Sequence, residues 1–118
     1  MSQAQETATA AIITGASAGI GREFALQLAN DGSTRHLVLT ARRKERLEEL
    51  KQEIETLWGE GSQRKVYVFC ADLSVEKDRS ELTKRVELEK LEIDLLINNA
   101  GFGSIGKFTE SSLEWELK

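Results

Sequence analysis

Gly15, Gly19 and Gly21 fall at the spacing Gly-x-x-x-Gly-x-Gly, between an apolar run and a helix-like stretch. Glycine at the first place lets a chain leave a strand sharply. At the other two it keeps the turn clear of Cβ atoms, so backbone can approach an anion and the helix can lie close on a sheet. The free N–H groups and dipole of that helix favour a phosphate, and Ser17 adds a hydroxyl donor. The competing reading is a glycine turn made for packing alone. Arg42 and Arg43 follow a second apolar run, where guanidinium groups can pair a phosphate bidentately. The competing reading is a solvated basic pair at a helix start, but the pair opposes the dipole of the helix it introduces, a mild cost that points to a local purpose. Asp72-Leu73 follows a third run; Asp72 or Ser74 could instead cap a helix there. Asn98-Asn99-Ala100-Gly101 follows a fourth, and a glycine at that point lets a strand end lie against a ligand.

The elements that must position these residues alternate along the chain. Ala10-Ala11-Ile12-Ile13-Thr14, His36-Leu37-Val38-Leu39-Thr40, Val66-Tyr67-Val68-Phe69-Cys70 and Asp94-Leu95-Leu96-Ile97-Asn98 read as buried strands. From Gly19 to Asn30, Ile20, Phe24 and Leu28 recur every four positions, with Ala25 and Ala29 beside them, and predict a helix with one buried stripe. Arg43 to Trp58 predicts a second helix, with Leu47, Leu50, Ile54, Leu57 and Trp58 on a shared face. Val75 to Leu91 predicts a third, mostly solvated. Ser111 with Glu114 makes a capping box that announces a further helix. Near-continuous apolar strands separated by helices mean a parallel sheet covered on both faces. Right-handed crossovers then favour the strand order 3-2-1-4, the first half of a doubly wound α/β sheet.

Composition limits the function. The chain has 118 residues, 40% hydrophobic and 31% charged, with a formal net charge of -4. That balance argues against nucleic acid as a partner, because affinity for it comes from a basic surface. No apolar run approaches the roughly 18 residues of a membrane span, so no membrane partner is expected. Residues 1–10 lack a basic start and an apolar stretch, which argues against a signal peptide. Cys70 is the single cysteine, which excludes an internal disulfide and suits the cytoplasm. It reads as a core residue at the end of its strand, and His36 as structural or solvated. No cluster of His, Cys and carboxylates has metal-ligand spacing.

Thr14-Gly15-Ala16-Ser17-Ala18-Gly19-Ile20-Gly21 and Asn98-Asn99-Ala100-Gly101, some 80 residues apart, together resemble the short-chain dehydrogenase/reductase family. The resemblance spans residues 10 to 118. It implies a Rossmann-like fold that binds a nicotinamide cofactor, with Gly15, Ser17, Gly19, Ile20 and Gly21 around the pyrophosphate. NAD users in this family carry an acidic residue at the end of the second strand. Here Thr40-Ala41-Arg42-Arg43 has none, which implies NADP, its 2′-phosphate held by Arg42 with Arg43. The resemblance further implies that Asp72 and Leu73 flank the adenine. It assigns Asn98 to holding the sheet together through backbone hydrogen bonds, and Asn99, Ala100 and Gly101 to the ribose and pyrophosphate region.

The family's reaction also uses a tyrosine with a lysine four residues later, a serine and a helical asparagine, and none has a counterpart here. The one tyrosine, Tyr67, is followed four positions later by Ala71. Trp115 resembles a tryptophan that precedes the helical asparagine in relatives. The sequence therefore reads as the cofactor-binding portion of an NADP-dependent oxidoreductase acting on a small-molecule alcohol or carbonyl, a homo-oligomer when complete. It is expected to form a single partial domain over residues 1–118, with 1–9 a flexible N-terminus and 107–118 the start of an unfinished helix. A non-catalytic nucleotide-binding or interaction module is the alternative. A methyltransferase-type Rossmann domain fits the glycine turn but not Asn98–Gly101 or the two arginines.

Overall fold

Strand β1 (Ala8–Thr14) buries every residue from Ala10 to Thr14, which requires a layer on each of its faces. In the computed structural model, which describes residues 8–99, 103–108 and 113–117, those layers are helices. The order along the chain is β1, α1 (Gly19–Ala29), β2 (His36–Ala41), α2 (Lys44–Trp58), β3 (Val66–Cys70), α3 (Glu76–Leu88) and β4 (Leu91–Asn98). The four strands are parallel and lie in the order β3-β2-β1-β4, as the alternation of runs predicts. Ala11, Ile13, Leu37 and Leu39 face α1 and α2, meeting Ala25, Leu47, Leu50 and Ile54. Ala10, Ile12 and Val38 face α3, meeting Leu82 and Val86. Ala8 and Thr9 already belong to β1, so the expected flexible N-terminus gives way to strand there; residues 1–7 lie outside the described ones.

Helix α1 corrects the expected stripe. Its buried residues are Gly21, Ala25 and Ala29, while Ile20 is 66% and Phe24 40% exposed. A row of small side chains lets the helix backbone approach the sheet closely, and the larger residues one position earlier turn aside by about 100°. On α2, Leu47, Leu50 and Ile54 are buried as expected, but Leu57 is exposed. Trp58 donates from its indole N–H to the carbonyl of Ala29, 2.8 Å away. Arg64 joins this contact. Its guanidinium lies 4.2 Å from the Trp58 ring centre and donates to the carbonyls of Ala29, Leu28 and Arg35. It thereby ties the last carbonyls of α1, Leu28 and Ala29, to the chain before β2 at Arg35.

Strand β4 starts at Leu91, three residues before the apolar run, and carries a register shift. Ala10 pairs with Ile93 and Ala11 with Leu95, so Asp94 is the extra residue of a bulge. One extra residue exchanges the faces of everything after it. Leu91 and Ile93 accordingly pack on the α3 side, and Leu95 and Ile97 on the α1–α2 side. Asp94 itself meets Arg35, which donates to it from Nε at 2.8 Å.

The helix expected from Ser111 is absent among the described residues. Gly103–Phe108 (β5) and Leu113–Leu117 (β6) form an antiparallel pair, with Ile105 opposite Trp115 and Phe108 opposite Leu113. Residues 107 and 108 are thus strand, and 113–117 is not the start of a helix. In Leu113-Glu114-Trp115-Glu116-Leu117 the apolar residues alternate strictly. That period of two outweighs the capping signal. Ser111 lies outside the described residues.

Candidate functional site

The carboxyl ends of β1, β2 and β3 are laced together by their own loops. Ala16 N–H donates to the Thr40 carbonyl at 3.2 Å and Ala71 N–H to the Ala41 carbonyl at 2.9 Å. The Cys70 thiol donates to the Arg42 carbonyl at 3.4 Å. Cys70 is therefore exposed at the rim rather than in the core, because it ends an edge strand beyond the helices that cover the sheet. These loops enclose a cleft of about 620 Å³. Its walls are the glycine turn with Gly15 and Ser17, the end of β2 with Arg42 and Arg43, and Asp72–Leu73 after β3.

The glycines have separate physical reasons. Gly15 turns with φ +63°, and a Cβ there would come within 3.1 Å of Asn99 Nδ2. Gly21 has no room at all: a Cβ would lie 2.2 Å from the Gly15 carbonyl oxygen. Gly19 has open space above it and φ +62°, so backbone conformation alone demands glycine there. Asn99 locks the turn from the far strand, its Nδ2 donating to the Gly15 carbonyl at 3.4 Å. Its backbone N–H donates to Thr14 Oγ1 at 2.8 Å, and that hydroxyl donates to Asn98 Oδ1 at 3.0 Å. Asn98 ties β4 to β1 through its backbone, paired with Thr14, and also through its side chain, which the sequence reading did not include.

Asp72 forms a tight turn of its own. Its Oδ1 accepts from the backbone N–H of Ser74 at 3.0 Å and from the Ser74 hydroxyl at 2.7 Å. Those two bonds, the hydroxyl first, and then the charge of Arg42 hold its carboxyl below the usual carboxylate range. The helix N-cap is Val75, without a side-chain bond, so neither Asp72 nor Ser74 is the cap. Leu73 is buried against α3.

Of the residues singled out from sequence, Gly15, Ser17, Arg42, Arg43, Asp72 and Leu73 come together in the cleft. Gly19 borders a neighbouring hollow of about 410 Å³ with Arg22 and Arg46. Gly21 and Asn99 stand behind the turn and shape it. Ile20 projects from α1, largely exposed. Ala100 and Gly101 lie outside the described residues. Sequence reasoning missed Thr40, a fully buried residue of the cleft wall whose hydroxyl has no hydrogen-bond partner among the described residues. Its pairing opposite Thr14 is a register fact that no local pattern announces. Tyr67 is not part of the wall; it packs edge to face on His36, with ring centres 6.2 Å apart. Among the described residues, no helix is long and apolar enough to cross a membrane, and no His, Cys, Asp and Glu cluster could hold a metal ion.

Comparison with known proteins places this geometry. A model of the short chain dehydrogenase family matches residues 9–116. The chain is 45% identical over 94 residues to the very-long-chain 3-oxoacyl-CoA reductase of Neurospora crassa, an alignment covering 79% of the chain and 26% of that protein. The structure superimposes on L-sorbose reductase from Gluconobacter frateurii complexed with NADPH and L-sorbose at a TM-score of 0.68 and 30% identity. That match covers 86% of this chain and 36% of the reductase. A short-chain dehydrogenase from Sphingobium yanoikuyae in complex with NADPH matches at 0.63 and 36% identity, covering 86% of this chain and 37% of that one. The chain thus spans about a quarter to two fifths of the relatives it resembles. It belongs to the short-chain dehydrogenase/reductase family, of which it represents the N-terminal part.

Proposed function

We propose that this chain is the NADP(H)-binding portion of an oxidoreductase that moves hydride between a nicotinamide and the carbon of a small-molecule alcohol or carbonyl. The observation that carries the cofactor choice is the pair Arg42 and Arg43 on the wall of the cleft, across from Asp72. Arg42 is close enough to Asp72 to lower that carboxyl's pKa, and β2 ends without a carboxylate of its own. A phosphate on the adenosine ribose would meet guanidinium there, whereas a carboxylate would repel it. The NADPH held by the Gluconobacter and Sphingobium proteins supports the same reading. In it Gly15, Ser17, Gly19, Ile20 and Gly21 receive the pyrophosphate, Asp72 and Leu73 the adenine, and Asn99, Ala100 and Gly101 the ribose beyond. NADP(H), when bound, supplies the hydride; the described residues bind and orient its adenosine end. A cytoplasmic location and a homo-oligomeric complete protein belong to the same proposal, on the single cysteine and the family resemblance.

Titration of NADPH and NADH against the chain and its Arg42→Ala variant tests the assignment. The parent is expected to prefer NADPH, and loss of one charge-assisted pair to weaken NADPH by about 1.5–3 kcal/mol, with NADH little changed. Equal affinity for the two before and after substitution would refute it. A positioned general acid contributes about 10²–10⁴-fold to such a step, and substrate orientation contributes more. The 118 residues alone are therefore expected to show no turnover with NADPH and a panel of aldehydes and ketones. Turnover by this polypeptide unaided would favour a different catalytic arrangement.

A further inference from the structure

The wall formed by Asp72, Leu73 and Ser74 is held from behind by the first turn of α3. Asp78 Oδ2 accepts the backbone N–H of Asp72 at 2.8 Å. Arg79 Nη1 donates to the carbonyl of Leu73 at 2.9 Å. Asp72 in turn fixes the N–H of Ser74, and its own carbonyl accepts from Val75 N–H at 3.0 Å. The polar backbone atoms of this short wall are thus fastened one after another, two of them by side chains of the helix.

Arg79 is conspicuous because its position suits an apolar residue. It is only 7% exposed and shares the buried row of α3 with Leu82 and Val86, at the i, i+3, i+7 spacing that apolar side chains normally fill. No ion pair to it is found among the described residues. A guanidinium buried without a carboxylate costs stability relative to an apolar side chain of similar length. The core therefore does not call for arginine here, whereas the Leu73 carbonyl does.

We propose that Asp78 and Arg79 are positioning residues that hold Asp72–Ser74 in the shape that receives the adenine end of the cofactor. This rests on the cofactor reading above. Neither side chain touches the ligand in this account; each acts through the backbone of the wall. Arg42 and the glycine turn would bind the phosphates whether or not the wall were held, so the two contributions separate experimentally.

The test uses the chain with adenosine 2′,5′-bisphosphate, which carries the adenine end, and with inorganic pyrophosphate as a phosphate-only probe. Melting temperature is recorded alongside affinity. Arg79→Met is expected to melt at or above the parent, yet to bind the adenosine probe about three- to tenfold more weakly, the worth of one hydrogen bond. Asp78→Ala should weaken the same probe. Asp78→Asn should restore it, because an amide oxygen still accepts the Asp72 N–H. Pyrophosphate binding should not move in any of the three. The proposal is overturned if Arg79→Met and Asp78→Ala bind the adenosine probe within twofold of the parent. It is equally overturned if weakening follows loss of melting temperature and Asp78→Asn does no better than Asp78→Ala. Should Arg79→Met not fold, Arg79→Lys and the two Asp78 variants decide. A parent that binds neither probe refutes the cofactor reading itself, and a parent that binds both while the variants bind equally refutes this inference alone.

Discussion

At the scale of single residues, neighbours across the sheet decide what each side chain does. Thr14 and Thr40 pair in register on adjacent strands, yet one hydroxyl joins β4 to the start of the glycine turn and the other is buried without a partner among the described residues. His36 is defined by its surroundings in the same way. Its Nδ1 accepts the backbone N–H of Lys65 at 2.9 Å, a bond that a protonated ring cannot make. Burial, then the charges of Lys65 and Arg64, hold its pKa below the ordinary 6.5. The unfolded chain therefore takes up this proton first as pH falls. The His36 contribution to stability is complete above about pH 6.5 and declines as pH drops through the lower folded value. Melting temperature should fall as pH drops below about 6.5 in the parent, and less steeply in His36→Gln. Parallel profiles in that window would count against the assignment.

At the scale of elements, two devices set how α1 and β4 approach the site. The row Gly21, Ala25 and Ala29 brings α1 close enough that Gly21 touches the glycine turn. The bulge at Asp94 lets β4 serve both cores in succession. The far end of α1 is secured by Arg64, with bonds to the carbonyls of Leu28 and Ala29, a third to that of Arg35, and a face-on contact with Trp58. Arg64→Ala is expected to destabilise the fold by about 1.5–3 kcal/mol, the range for bonds to a charged group. Arg64→Lys should recover little of it, because an ammonium cannot reproduce the planar fork or the stacking. Chemical denaturation measures both; full recovery by lysine would show that charge alone matters there.

At the scale of the whole molecule, the two margins of the sheet differ. Beside β3 stand Glu48, Lys51, Glu55, Lys65 and Arg85, charges of the kind that discourage strand addition. At the other margin β4 presents Leu95, Leu96 and Ile97, none fully buried. Ile20 and Phe24 of α1 are exposed apolar side chains as well. A polypeptide of these 118 residues is therefore expected to self-associate through the β4 margin. Light scattering over a concentration series should show a rising mass, and Leu96→Lys should suppress it. A monodisperse monomer at high concentration would contradict this.

The strand order, the alternation of layers and the glycine turn were legible in the sequence. Apolar runs, helical periods and glycine spacing are local patterns, and handedness then leaves few ways to connect them. Arg42, Arg43 and Asp72 could be placed near one ligand for the same reason, since each follows a parallel strand whose carboxyl end faces the same side. The tertiary structure decided what depends on partners far along the chain. It centred the buried face of α1 on Gly21, Ala25 and Ala29 and left Ile20 and Phe24 outside it, because the sheet accepts the closer approach. It exposed Cys70 at the rim and turned 113–117 into a strand paired with β5. It also put Arg79 behind Leu73 and Asn99 behind Gly15. Those contacts join residues whose meeting is set by packing and register, which no spacing along a single chain encodes.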